Sequence, residues 1–112
     1  MTLTEFLLAR IDEDVEAAID ADWAMQGKWY VDADDKVDEY VRRVSPARVV
    51  AECEAKRRIV KIHTEGLDDF DGSELYSTGC DGCRSALWPC PTILALILPY
   101  ADHPDYQPEW KL

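Results

Sequence analysis

The sequence predicts a mainly α-helical fold with a small β-hairpin, in which three helices are held together by a structural zinc site. Two long segments, residues 2–21 and 45–63, carry apolar side chains at helical spacing. A cluster of cysteines at residues 80–90 immediately precedes a third apolar segment. A chain of 112 residues has only a modest core. We therefore predict that residues 1–112 form a single domain reinforced by a metal.

The first predicted helix covers residues 2–21. Thr2 and Glu5 have the spacing of a capping box, in which a hydroxyl and a carboxylate each bind a backbone N–H group. Apolar residues recur every four positions and form one stripe: Leu3, Leu7, Ile11, Val15 and Ile19. Acidic residues fill the opposite face, so this helix is predicted to pack against a core and carries no catalytic pattern.

Residues 28–44 fit two different structures. Residues 28–32 (KWYVD) have the aromatic and β-branched content of a strand, and residues 36–44 could return as its partner. Val37, Tyr40 and the valines after them also have the spacing of a short helix. We predict the hairpin and keep the short helix as the alternative.

The second predicted helix covers residues 45–63. Ser45 is a suitable cap, and Pro46 suits the first turn, where its missing N–H group is not needed. Residues 64–79 are acidic, contain glycine and lack any periodicity, so we predict a long acidic loop there.

The third predicted helix covers residues 91–101, with Pro91 in its first turn. The final segment, residues 102–112, is predicted to be irregular. Its Tyr106 and Trp110 are large amphipathic side chains, and we expect both to pack on the body of the domain.

The cysteine cluster has the spacing of a metal site. Cys80 and Cys83 form a C-x2-C knuckle, and Cys90 follows after six residues. Zinc prefers four thiolate or imidazole ligands in a tetrahedron, with pairs of ligands donated by short loops. The fourth ligand has to come from His63, Cys53 or His103.

Helix geometry selects among these candidates. Cys53 and His63 are ten residues apart, which corresponds to about 15 Å along a continuous helix, so they cannot bind the same ion. His63 lies at the helix end, where it can reach the knuckle, although a histidine there is also favoured by the helix dipole. Cys53 is typical of a small core residue, and His103 of a turn. We therefore predict that zinc is bound by four ligands, His63, Cys80, Cys83 and Cys90.

The cysteines could also serve a redox function or bind a different metal centre. A thioredoxin-like pair requires its C-x2-C at the start of a helix, whereas Asp81 and Gly82 lie in a turn. An iron–sulfur cluster would accept the same thiolates and stays open. A catalytic zinc keeps an open position, so four protein ligands predict a structural site. The enzymatic alternative is a hydrolase in which His63 is not a ligand and a zinc-bound water lies near Asp102 or His103.

Composition favours a cytoplasmic, non-enzymatic protein. The sequence has no basic start followed by an apolar stretch, so no signal peptide is predicted. Its longest apolar run, residues 92–101, is shorter than the roughly 20 residues of a membrane span. A reducing compartment favours metal binding over disulfides. No phosphate-binding loop and no nucleophile–base pair is recognisable, which favours a binding or regulatory module.

Charge is distributed unevenly along the chain. The net charge is −11, yet residues 41–63 hold 7 basic and 2 acidic side chains. The acidic remainder predicts a basic protein as partner, and the overall charge disfavours nucleic acid. Alternatively, a basic patch of Arg57, Arg58 and Lys61 could contact DNA phosphates or another acidic partner. The charge could also serve only to keep the protein soluble.

Several motifs also resemble a known family. They are ARVVAECEAKRRIVKIH, the C-x2-C knuckle and WPCPTILALILPYADHPDYQPEW. This pattern is similar to an uncharacterised family of small actinobacterial and actinophage proteins, classed as a domain of unknown function. The chain departs from that pattern at Cys53 and in the longer acidic segment 64–79. The resemblance implies a phage or actinobacterial cytoplasmic setting and the same four metal positions, and it implies no activity.

Overall fold

The computed structural model of the chain describes residues 1–26, 35–69, 72 and 74–111. This part is mainly helical and contains one two-stranded antiparallel sheet, which confirms the predicted fold class, although its strands, 65–69 and 75–80, are not the predicted ones. Its elements in chain order are α1 (Leu3–Met25), α2 (Asp35–Arg43), α3 (Pro46–Ile62), β1 (Glu65–Asp69), β2 (Leu75–Cys80), α4 (Pro91–Ile97) and two 3-10 turns (Leu98–Tyr100 and Pro108–Trp110).

Residue contacts divide the chain into two compact units, which are described separately. One unit combines residues 1–8 with residues 57–112, and the other comprises residues 9–56. Among the described helices, none combines the length and the apolar character needed to cross a membrane.

Helix α1 begins as predicted and buries the first part of the predicted stripe, but not its last residue. The backbone N–H of Glu5 donates to the Thr2 hydroxyl at 3.1 Å, which is the hydroxyl half of the capping box. Leu3, Leu7 and Ile11 are buried, whereas Ile19 is 57% exposed and Ala18 is buried instead. A step of four residues advances about 40° around a helix of 3.6 residues per turn, so a strict four-residue repeat gradually leaves the buried face.

The predicted hairpin over residues 28–44 is wrong where the structure describes it. Residues 35–43 form α2, the alternative that the valine and tyrosine spacing indicated, and the first predicted strand, 28–32, lies outside the described residues. Arg43 donates to Glu39 at 2.8 Å, a pair one helical turn apart. The amide of Val44 donates to the carbonyl of Tyr40 at 3.1 Å and continues the helical pattern.

The predicted acidic loop over residues 64–79 is instead the β-hairpin of β1 and β2. Leu67 pairs with Ser77 and Asp69 with Leu75 in antiparallel register, with a shift after Gly66. Most residues of both strands are exposed. A strand with no buried face carries no alternation of apolar and polar residues, which is why periodicity did not reveal it.

The first compact unit has an aromatic centre. Phe6 is fully buried, and its ring centroid lies 5.4 Å from that of His103, 6.2 Å from Tyr106 and 5.2 Å from Trp110. The C-terminal segment therefore packs on the N-terminal turn of α1, and the predicted packing of its two aromatic residues is confirmed. Other buried apolar residues of this unit are Leu3, Leu7, Val60, Ile93 and Ile97.

Helix α4 is shorter than predicted. It starts at Pro91, whose missing N–H group is not needed at a helix start. It ends at Ile97, because Pro99 cannot donate a hydrogen bond to the preceding turn. Residues 98–100 continue as a 3-10 turn. Ile93 and Ile97, four residues apart, are its buried side chains.

Candidate metal centre

Three structural elements end or begin at one point of the first compact unit. Helix α3 ends at Ile62, and His63 follows it directly, with its backbone N–H still donating to the carbonyl of Ile59 at 2.9 Å. Strand β2 ends at Cys80 and leads into a turn that contains Cys83. Cys90 is the N-cap residue of α4, with extended backbone angles (φ −76°, ψ 161°). Each candidate ligand therefore belongs to a helix end, a strand end or a tight turn.

Backbone hydrogen bonds hold the knuckle against the segment that follows α3. The N–H of Asp81 donates to the carbonyl of Thr64 at 2.9 Å. The N–H of Cys80 donates to the carbonyl of Ser85, also at 2.9 Å, and closes the turn around Cys83. These bonds hold the knuckle beside His63.

Two glycines permit this close approach. A Cβ atom on Gly82 would overlap the backbone carbonyl of Ile62, and one on Gly79 would overlap the carbonyl of Ser85. Gly79 also has a φ of +96°, a conformation that L side chains rarely adopt. The lack of a side chain at Gly82 therefore allows the knuckle to dock on the end of α3, and the lack of one at Gly79 allows the turn around Cys83 to close.

The structure brings together all four residues that the sequence predicts as metal ligands. One ligand atom from each of His63, Cys80, Cys83 and Cys90 lies within 4.8 Å of all the others. The Nδ1 atom of His63 is 3.5 Å from the Sγ of Cys80 and 3.6 Å from the Sγ of Cys90. Cys80 and Cys90 are buried, His63 is half-buried, and Cys83 is exposed.

These separations match the edges of a zinc tetrahedron. With Zn–S bonds of about 2.3 Å and Zn–N bonds of about 2.0–2.1 Å, a tetrahedral angle separates sulfur from nitrogen by about 3.6 Å. The two measured S···N distances of 3.5 and 3.6 Å agree with this value. A single S–H···N hydrogen bond can have a similar length, but one ring nitrogen can donate or accept only one such bond well. Equal distances to two sulfurs therefore favour a shared cation.

The protein environment affects the thiols of Cys80 and Cys90 in opposite directions. Burial raises the pKa of Cys80, but hydrogen bonds from the Cys83 backbone, the His63 ring and the Gly82 backbone outweigh it and lower the pKa from 9.0 to about 6. Burial raises the pKa of Cys90 above 9.0, and the adjacent thiols of Cys80 and Cys83 add to this rise. The knuckle thus stabilises a thiolate at Cys80.

The other candidates lie outside this group. Cys53 is 1% exposed within α3, as expected for a core cysteine. His103 lies in a turn, where its Nδ1 accepts a hydrogen bond from the backbone N–H of Asp105 at 3.1 Å. Asp102 is exposed. All four cysteines have free thiols, so no disulfide competes for the knuckle. The basic patch of Arg57, Arg58 and Lys61 is exposed on the last two turns of α3.

Sequence reasoning missed three residues that shape the site. Gly79 and Gly82 are needed for the close contacts described above, and Arg84 has a φ of +59° directly after Cys83. The glycines flank the first knuckle cysteine in the sequence G-C-D-G-C. That spacing could have identified both glycines, because a glycine beside a metal-binding turn often lies where another stretch of backbone passes very close. Arginine at a left-handed position gives no such signal.

Comparison with known proteins yields one match. The profile of a family described as "Family of unknown function (DUF6221)" covers residues 1–112. Neither a curated protein nor a solved structure matches the chain significantly. The match agrees with the resemblance to an uncharacterised family, and it adds no activity, ligand or partner.

Proposed function

The chain belongs to DUF6221, a family of unknown function, and we propose that it is a small zinc-binding module without enzymatic activity. The metal stabilises the fold, and the surface binds a protein partner. The observation that carries this proposal is the position of His63 Nδ1, at 3.5 and 3.6 Å from two different cysteine sulfurs. Zinc, with its preference for nitrogen and sulfur ligands in a tetrahedron, suits that donor set.

A structural role follows from the number of ligands and from their places in the chain. Three thiolates and one imidazole complete a four-coordinate shell and leave no position for substrate or water. The ligands come from the end of α3, the end of β2 and the start of α4. A metal bound there crosslinks three elements that the sequence separates, so its binding free energy contributes to folding.

Charge supports a protein partner. The chain carries a net charge of −11, which would repel nucleic acid and attract a cationic protein. We place the module in a phage or actinobacterial cytoplasm, on the resemblance of its motifs, and a host protein is the partner that such a setting suggests. The basic patch of Arg57, Arg58 and Lys61 would orient the partner by attracting its acidic groups.

Metal analysis tests the first part of this proposal. Protein produced without a histidine tag should contain about one equivalent of zinc after gel filtration, in line with one closed site. Iron together with acid-labile sulfide would replace the zinc proposal with an iron–sulfur cluster. Metal well below one equivalent, in protein that is folded, would contradict the proposal.

Cobalt substitution tests the absence of an open coordination position. A closed site with three thiolates and one imidazole should give intense four-coordinate absorption bands that do not change when azide is added. Bands that shift with azide would show that a ligand position is exchangeable. That result would favour the hydrolase alternative and count against a purely structural site.

Salt-dependent capture tests the partner. Immobilised protein should retain a host protein at low salt and release it at high salt, because exposed charges are screened. An electrophoretic mobility shift with duplex DNA is the parallel measurement. A shifted duplex would instead favour DNA binding through the basic patch. If neither a captured protein nor a shifted duplex is observed, the charge serves only to keep the protein soluble.

A further inference from the structure

The β-hairpin leaves apolar side chains in solvent. Leu67 is 56% exposed, Leu75 68% and Tyr76 45%. Asp69 pairs with Leu75, and Leu67 precedes Asp69 by two residues, so Leu67 and Leu75 share one face of the sheet. A two-stranded hairpin alone is only marginally stable in water. In the part of the chain that the structure describes, the sheet has two strands, and the exposure of Leu67 and Leu75 shows that no described element covers their face.

The hairpin is also uniformly acidic. Its described charged residues are Glu65, Asp68, Asp69 and Glu74, and all four are exposed. Among the described residues, no ion pair involves Glu65, Asp69 or Glu74. Like charges this close on a small sheet repel one another. Asp69 lies on the Leu67–Leu75 face, whereas Asp68, which pairs with Tyr76, lies on the opposite face. A partner that covers the Leu67–Leu75 face must therefore combine apolar contact with a positive charge near Asp69.

The end of α3 offers this combination on the same compact unit. The basic patch of Arg57, Arg58 and Lys61 is exposed, and Ile62 beside it is 60% exposed. Only two residues separate the end of α3 from the start of β1. The chain therefore presents, close together in one unit, a basic surface with an exposed isoleucine and an acidic surface with exposed leucines.

We propose that the partner of the hairpin is a second copy of this chain, attracted locally through its basic patch although each copy carries a net charge of −11. In a two-fold symmetric dimer, the end of α3 in each copy packs on the hairpin of the other. A two-fold interface makes every contact twice, and two complementary surfaces on one unit satisfy this requirement. A nucleic acid bound to the basic patch would instead lie beside the hairpin carboxylates and be repelled.

This inference rests on the proposed function, because the zinc site holds the two surfaces in place. Cys80 ends β2, and His63 follows α3 directly. Loss of the metal would leave only backbone hydrogen bonds, such as that from Asp81 to Thr64, between the end of β2 and the segment after α3, so the two surfaces would be held less firmly. We therefore expect the dimer to require zinc, and each experiment below includes the zinc content of the same sample.

Sedimentation velocity of the zinc-loaded chain at about 50 mM and about 500 mM salt is the first measurement. We expect a dimer at low salt whose dissociation constant rises at least about tenfold at high salt, as exposed charges are screened. Two charge-reversal variants follow. R57E/R58E/K61E makes both surfaces acidic, and D68K/D69K/E74K makes both basic, so each variant alone should be monomeric. E16K/D20K, on the exposed face of α1, is the matched control and should remain dimeric.

Mixing the two reversal variants is the decisive step. In an equimolar mixture, each acidic surface of one variant meets a basic surface of the other at both contacts. The mixture should therefore form a heterodimer, and a chain that carries all six substitutions should dimerise with itself. L67S/L75S, which keeps all charges, should also weaken the dimer.

The outcomes separate this inference from the proposed function. A zinc-loaded chain that is monomeric at both salt concentrations, or reversal variants that remain dimeric alone, would overturn the inference while zinc binding stands. A mixture that stays monomeric although both variants are zinc-loaded and folded would also overturn it. A folded chain without zinc would overturn the proposed function itself, whatever its oligomeric state.

Discussion

The Nδ1 atom of His63 lies 3.5 Å from the Sγ atom of Cys80, although the two residues are 17 positions apart, one just before the hairpin and one at its end. The same nitrogen is 3.6 Å from Cys90, at the start of another helix. Backbone hydrogen bonds from Asp81 to Thr64 and from Cys80 to Ser85 hold the knuckle beside the end of α3. The fold therefore brings the four possible ligand atoms within 4.8 Å of one another, close enough to bind one metal ion.

Removal of one ligand should cost both zinc and stability. H63A and C90A should each lose at least about half of the bound zinc and lower the melting temperature by more than about 10 °C. A metal at a thousandfold excess over its dissociation constant contributes about 4 kcal/mol, and 1 kcal/mol corresponds to about 4–8 °C in a small domain. Metal content and differential scanning calorimetry provide the two readouts.

C53A is the control for the ligand variants. Cys53 is buried but lies outside the ligand group, so its truncation should cost only about 1 kcal/mol from the lost packing and leave zinc at one equivalent. Zinc loss in C53A equal to that in C90A would contradict the assigned ligand set.

Substitution of Gly82 should weaken metal binding although it removes no ligand. In G82A the new Cβ atom would overlap the backbone carbonyl of Ile62, so the knuckle must move away from the end of α3. We expect zinc affinity to fall at least about tenfold and stability to fall by about 1–3 kcal/mol. G66A is the matched variant, because its Cβ atom would meet the side chains of Thr78 and Asp81, which can rotate. Equal losses in both variants would refute this account.

Zinc affinity should fall as pH falls. The raised pKa of Cys90 keeps its thiol protonated at neutral pH without metal, so zinc must displace that proton. Between about pH 7 and pH 8 this proton alone should raise affinity about tenfold. Cys80, with a pKa lowered to about 6, is mostly ionised in that range and adds to the pH dependence only below it. Competition titrations with a chromophoric chelator measure the slope, and an affinity independent of pH would contradict the prediction.

Arg84 should be replaceable by glycine without loss. Its φ of +59° costs an L residue about 1–2 kcal/mol, and glycine would relieve that cost while losing about 0.5–1 kcal/mol of chain entropy. We expect R84G to equal the natural chain or exceed it by up to about 1 kcal/mol in unfolding free energy. The β-branched variant R84V should be less stable than either. Denaturant titrations would reveal a loss in R84G, which would mean that the arginine side chain makes a stabilising contact.

The candidate site could be predicted because metal-binding cysteines have characteristic short spacings in the sequence. The spacing of Cys80 and Cys83 reports a knuckle, and helix geometry alone excludes Cys53 as a companion of His63. The hairpin could not be predicted in the same way. Its strands bury almost nothing, so its sequence resembles that of an acidic loop. Glu65 and Asp69 give no indication that their backbones pair with another strand.

The α1 and α2 regions show where periodicity succeeds and fails. Ile19 fits a four-residue repeat but lies outside the buried face, because that repeat drifts around a helix of 3.6 residues per turn. Val37 and Tyr40 suit either a helix or a strand in a segment this short, and in the structure the segment is helical, with Arg43 paired to Glu39 one turn earlier. Local pattern alone could not resolve that choice.

The contact between Phe6 and Trp110 has a consequence for synthesis. The two rings belong to opposite ends of the sequence, and the unit that contains them is interrupted by residues 9–56. A chain emerging from the ribosome therefore displays Phe6 and its apolar neighbours long before the residues that cover them exist. Contacts so distant in sequence slow folding. The intervening segment can collapse early, whereas the aromatic centre closes only after Trp110 has been synthesised.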